Sequence, residues 1–140
     1  MLKLKPVFHN PPEIFNPTPF GFCHTVKAPS KGELVYISGQ SGGEGIEHKL
    51  SSDFRYQACT LLSNLEIALN SHELSFDDVL KITVLIVDHD SEKLNIWSKE
   101  MQKRWSSDTL PASTLIPVPK LALDGMLIEV DAIAFKSARL

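Results

Sequence analysis

The sequence predicts an α+β fold, a two-layer sandwich in which a mixed sheet carries two helices on one face, in the order ββαβαββ. Three observations carry that expectation. Two segments, 53–70 and 91–105, place apolar residues at helical spacing. Short runs rich in β-branched residues lie before, between and after them. The 140 residues are 43% hydrophobic and 22% charged, an ordinary globular composition, and the chain is long enough to bury a core without disulfides or a structural metal.

The elements follow in order. The whole chain, 1–140, reads as one domain with an extended N-terminal segment over 1–20, where Pro6, Pro11, Pro12, Pro17 and Pro19 exclude a helix. Phe22 to Lys27 and Glu33 to Ser38 read as strands, and Ala28-Pro29-Ser30-Lys31-Gly32 between them as a turn, which makes a hairpin. Ser38 to Gly45 holds four glycines and reads as a flexible loop or, alternatively, as a backbone-lined ligand pocket; it has neither phosphate-binding fingerprint. In 53–70, Phe54, Ala58, Leu61, Leu62, Leu65 and Leu69 form one stripe, with Ser51 or Ser52 as cap and Asp53 at the positive end of the dipole. Val79 to Val87 is a strand ended by Asp88-His89-Asp90. Ser91 to Trp105 is the second helix, capped by Asp90 or Ser91, with Leu94, Trp97, Met101 and Trp105 on one face. Thr114 to Val118 is a short strand that Pro117 restricts to one paired edge, and Leu127 to Phe135 is the last. Helices between strands imply right-handed parallel crossovers.

That architecture leaves apolar surface uncovered. On strand 79–87 one face carries Leu80, Ile82, Val84 and Ile86, and the other Val79, Leu85 and Val87 beside Lys81 and Thr83. The helices cover only one of these faces, so the chain is expected to self-associate through the other.

Charge and composition exclude several classes. Fourteen Lys and Arg against 17 Asp and Glu give a net charge of −3, which argues against DNA or RNA as a partner. No apolar run approaches a membrane span, and the first twenty residues lack a signal-peptide core, so the expectation is a cytoplasmic protein with no membrane partner. Cys23 and Cys59 are expected as free thiols, and with no Cys-x-x-Cys pair neither a metal nor another cofactor is expected. Cys23 and His24 are strand neighbours that point to opposite faces, which disfavours a Cys–His nucleophile. Asp88-His89-Asp90 fits a capped turn better than a metal site. His9, His48 and His72 show no partner. Glu129 lies inside the last strand on the face of Leu127, Asp131 and Ile133, either solvated or buried with a partner.

Several stretches together resemble the RidA family, also called YjgF or L-PSP. They are Val35-Tyr36-Ile37-Ser38-Gly39-Gln40, Asn64-Leu65-Glu66, and Ser75 through Val84. Leu110-Pro111-Ala112-Ser113-Thr114 and Ile128 through Ala134 complete the set, in the family's order from about residue 20 to 135. The resemblance implies a chorismate-mutase-like fold, a homotrimer, and small-molecule clefts between subunits. It also implies hydrolysis of reactive enamines and imines such as 2-aminoacrylate to keto acids and ammonia. Other members are described as ribonucleases or translation inhibitors. In the active deaminases an arginine follows Pro-Ala and grips the substrate carboxylate. Here Ser113 stands there, and Phe22 stands where a tyrosine is common. The arginines of the chain are Arg55, Arg104 and Arg139, and Lys120 or Arg139 of a neighbouring subunit is the remaining cation for the cleft. By the resemblance Glu129 places the attacking water and Gly39 contacts ligand through its backbone, with Phe22, Ser113 and Thr114 as further ligand contacts. Three readings follow: an imine-hydrolysing deaminase, a non-catalytic ligand-binding or regulatory module on the same fold, and, against the charge, an endoribonuclease.

Overall fold

The computed structural model describes residues 4–138. Its elements are β1 (Val7–His9), β2 (Thr25–Lys27), β3 (Gly32–Ser41), α1 (Phe54–Asn70), β4 (Val79–Val87), α2 (Ser91–Arg104), β5 (Ala112–Val118) and β6 (Ile128–Ser137), with short 3-10 turns at Thr18–Phe20 and Phe76–Asp78. The main sheet has the order β3-β6-β4-β5. β6 runs antiparallel to both of its neighbours, and β4 pairs with β5 in parallel across α2. Both helices pack on one face. Leu61, Leu62, Leu65 and Leu69 of α1 and Trp97 and Met101 of α2 share a core with Ile82, Val84 and Ile86 of β4 and Ile128 and Val130 of β6. Among the described residues no helix is long and apolar enough to cross a membrane.

The structure corrects the expected hairpin. β2 is short and pairs with β1, Phe8 opposite Val26, while β3 pairs with β6. Phe22 to His24 is not strand; Cys23 only bridges Ala112. A turn composition signals a change of direction but does not choose the next partner. The N-terminal segment supplies it: His9 carbonyl accepts from the Thr25 hydroxyl at 2.7 Å. That segment is therefore extended only in part, with a 3-10 turn at its end.

Two bulges shift the expected faces. One lies between Ile37 and Gln40 and lets β3 run on to Ser41, so the first half of the glycine-rich stretch is strand. The rest is packed rather than loose. Gly42 and Gly43 are buried, and a Cβ on Gly42 would lie 2.5 Å from that of Gln57. Asn64 Nδ2 donates to Ser41 O and Gly43 O, both at 2.9 Å. The second bulge, between Val79 and Lys81, turns Val79 into the core and leaves Leu80 half-buried, the reverse of simple alternation.

Asp53, not Ser51 or Ser52, caps α1: its Oδ2 accepts from Tyr56 N at 2.8 Å, and Ser51 Oγ accepts from Asp53 N one step outside. Asp90 caps α2 through Lys93 N. Gln57 is fully buried and satisfied. It donates to Ser51 O and Gly125 O and accepts from Leu127 N, which ties α1 to the start of β6. Cys23 and Cys59 are unbridged.

Between the helices lies a buried carboxylate. Glu100 is 2% exposed and accepts from Lys103 Nζ at 2.8 Å, Arg55 Nη1 at 3.2 Å and Cys59 Sγ at 2.8 Å. Burial alone would raise its pKa. The bonds from Cys59 and Lys103 and the charges of Lys103 and Arg55 outweigh that and hold it below the ordinary carboxylate range. Burial, and then the bond to this carboxylate, push the Cys59 thiol up. Because its folded pKa is lowered, Glu100 stabilises the fold fully above its unfolded value, about 4.3, and loses this contribution as the pH falls through the folded one. Glu100→Gln is expected to lose about 1–3 kcal/mol in urea unfolding at pH 7. The gap to wild type should narrow as the pH drops below that unfolded value; equal stabilities at pH 7 would contradict the assignment.

Candidate functional site

A cavity of about 300 Å³ opens between the 15–22 segment, α2 and the outer edge of β5. Phe15, Phe20, Phe22, Leu94, Trp97 and Ser113 line it. Its wall is held by polar bonds. Gln102 Nε2 donates to Thr18 O at 2.8 Å and Pro19 O at 3.0 Å, fastening the 3-10 turn to α2. The turn ends at Gly21 with φ 83°, where a Cβ would meet that of Met101 at 2.9 Å. His24 Nε2 donates to Phe15 O at 2.7 Å, and its ring stands edge-on to Phe15 and Phe22 at 5.0 and 5.7 Å.

Register fixes the other candidates on the opposite side of the sheet. Ser113 lies opposite the buried Ile82 and so faces the helix layer; Thr114 lies opposite Thr83 and faces away. Lys81 Nζ donates to Thr114 Oγ1 at 2.6 Å on that helix-free face. Glu129, between buried Ile128 and Val130, points the same way, opposite Leu85 and Ser41. Gly39 sits against it, and a Cβ there would lie 2.7 Å from the Glu129 carboxyl carbon.

Thus the expected residues fall into two groups: Phe22 with Ser113, and Gly39 with Glu129. β6 lies two strand steps from β5 and β3 three, about 10 and 14 Å at roughly 4.8 Å per step, and the groups are on opposite faces. Side chains cannot bridge that within one chain. Thr114 belongs with neither cavity wall nor Gly39 but with Lys81. Among the suggested cations, Lys120 pairs with Asp124 at 3.1 Å, and Arg139 lies outside the described residues.

Phe15 and Phe20 carry no sequence signal because their Pro-rich segment has no period, and the helical stripe marks Trp97 only as core. His48 does have a partner: its Nε2 bonds Ser41 Oγ, which also accepts from Gly43 N. The seven-residue gap and the positive φ of His48 hid the pair. Cys23 and His24 engage different groups, Cys23 Sγ donating to Thr25 O at 3.2 Å.

A two-layer sandwich with an aromatic cavity at one sheet edge and a Gly–Glu pair on the helix-free face is an α+β protein of the Rid type. The model of the family described as endoribonuclease L-PSP matches residues 20–136, and the chain belongs to that family. It is 31% identical over 127 residues to a RutC family protein of Pyrococcus horikoshii, covering 86% of this chain and 91% of that one. It is 30% identical over 111 residues to TdcF of Escherichia coli, named provisionally as a reactive intermediate deaminase, covering 76% and 82%. Among solved structures, the Rid family protein YyfB of Yersinia pestis, described as of unknown function, superposes with a TM-score of 0.88 at 26% identity, covering 94% of this chain and 99% of that one.

The Gly39–Glu129 contact is directly testable. Gly39→Ala puts its Cβ against the Glu129 carboxyl group, the far end of a flexible side chain, so the carboxylate should rotate away at little cost. Urea unfolding should stay within about 0.5 kcal/mol of wild type; a loss of about 1–3 kcal/mol would show that neighbouring groups hold Glu129 in place.

Proposed function

We propose that this chain forms a homotrimer whose inter-subunit clefts bind a small metabolite and hydrolyse an imine or enamine. The observation that carries the reading is the split: the residues that match the family's site lie in two halves that one chain cannot join. A second copy can supply the missing half, with Phe22 and Ser113 of one subunit opposite Gly39 and Glu129 of the next. The uncovered face of the sheet, with Tyr36 73% and Leu34 50% exposed, supplies apolar surface for that contact. The similarity to a deaminase-named relative supports the chemistry.

In that cleft Glu129 accepts a proton from water as the water oxygen bonds to the imine carbon. The C=N electron pair moves to nitrogen, which takes that proton back from Glu129; the hydroxyl proton of the carbinolamine then passes through the Glu129 carboxylate to nitrogen as the C–N bond breaks, ammonia leaves and the C=O bond forms. Gly39 contacts the substrate through its backbone. Ser113 offers one neutral hydrogen bond where a guanidinium would offer two charge-assisted ones. That difference favours a second reading, a ligand-binding or regulatory module without turnover. Nothing favours RNA as substrate on a chain of net charge −3.

Light scattering should give three times the 15.6 kDa chain mass, and a monomer at micromolar concentration would overturn the shared cleft. Deamination of 2-aminoacrylate, assayed as ammonia and pyruvate beside an arginine-bearing relative, should be slower by roughly tenfold to two-hundredfold. Equal rates would show that the arginine is dispensable. Saturable binding without ammonia release from any imine would favour the module.

A further inference from the structure

The cavity beside Ser113 has a chemistry of its own. Among the described residues no charged side chain lines it, and Ser113 carries its only hydroxyl. Phe15 makes edge contacts with Phe20 at 6.1 Å and Phe22 at 6.2 Å, yet Phe15 and Phe20 remain 58% and 45% exposed. Rings this exposed would gain by collapsing onto each other or onto α2. The bonds from His24 to Phe15 O and from Gln102 to Thr18 O and Pro19 O hold the wall open instead. A wall fixed before binding lowers the ordering cost of a ligand.

We propose that this cavity selects neutral compounds with one aromatic ring and a short polar head, the ring against the three phenylalanines and the head at the Ser113 hydroxyl. The proposal rests on the cleft reading above and names its ligand class. Size fits: a cavity of about 150 Å³ takes benzene, and this one, at about 300 Å³, leaves room for a substituent. Charge fits as well. A carboxylate desolvated here meets only neutral donors and, among the described residues, no cation, so burial disfavours it. A neutral amide, imine or carbonyl needs only the hydrogen bond that Ser113 can give or take.

Calorimetric titration of the full chain with benzamide and benzoate, which share a shape and differ in charge, tests this. Benzamide should bind tighter than benzoate by roughly tenfold or more, because only the anion loses its hydration unpaired. Leu115 lines the cavity beside Leu94; Leu94→Trp or Leu115→Phe, each checked by circular dichroism for a folded chain, fills it and should abolish the benzamide signal. Ser113→Arg should reverse the preference. Benzoate binding as well as benzamide, benzamide affinity unchanged in both filled variants, or no benzamide binding at millimolar concentration would each overturn the proposal. The last is the result expected if a second copy's side chain occupies the cavity. Ammonia release from 2-aminoacrylate, measured alongside, separates the two readings. Benzamide binding without ammonia release keeps the ligand class and removes the deaminase; ammonia release without benzamide binding does the opposite.

Discussion

The period of two along β6 is the constraint on which the rest depends. Ile128, Val130, Ala132 and Ala134 face the helices and are 2% exposed or less. Glu129, Asp131 and Ile133 consequently face the other way. β6 is hydrogen-bonded on both sides, so a slip of one residue would exchange the two sets across the whole sheet. Each of the four fully buried leucines of α1 contributes about 1.5–3 kcal/mol against this surface, so a slip forfeits several such terms at once. The position of Glu129 is thus fixed by packing on the face opposite to it.

Parts of this were legible. The stripes Leu61–Leu65–Leu69 and Trp97–Met101 repeat at helical spacing, and that spacing survives any tertiary partner. The strands around them were visible as β-branched runs. Pairing was not visible, because fifteen residues with several separate turn signals, rather than one tight turn, lie between β1 and β2. Bulges were not visible either. Each adds a residue to one strand, and nothing in Val79-Leu80-Lys81 distinguishes the residue that is added.

For the site, motif and parity gave different information. The matching stretches picked out Gly39, Ser113 and Glu129 as residue types in order. They did not say that Ser113 and Thr114, adjacent in sequence, look to opposite sides of the sheet. Only the pairing of Ser113 with Ile82 settles that. In the aromatic wall Phe22 was marked by the resemblance and Trp97 by its helical stripe, but Phe15 and Phe20 had no local signal, since their Pro-rich segment meets α2 only in the folded chain.

The missing arginine and the phenyl wall are connected physically. A guanidinium at position 113 would be a cation among Phe15, Phe22 and Trp97, stable there only when an anion or several acceptors desolvate with it. Ser113 removes that demand, and the cavity can remain apolar with no ligand present. The chain's described arginines are committed elsewhere: Arg55 to Glu100, and Arg104 to Cys59 O and Ser63 Oγ, each at 3.2–3.3 Å on the helix layer. There a carboxylate shielded from water is matched by cations whose other sides reach solvent, so the pair avoids full desolvation. Among the described residues, charge is thus gathered between the helices and absent from the lining of the cavity at the sheet edge. Restoring an arginine at 113 would therefore change more than one contact: it would convert an apolar cavity that is stable empty into one that requires an anion.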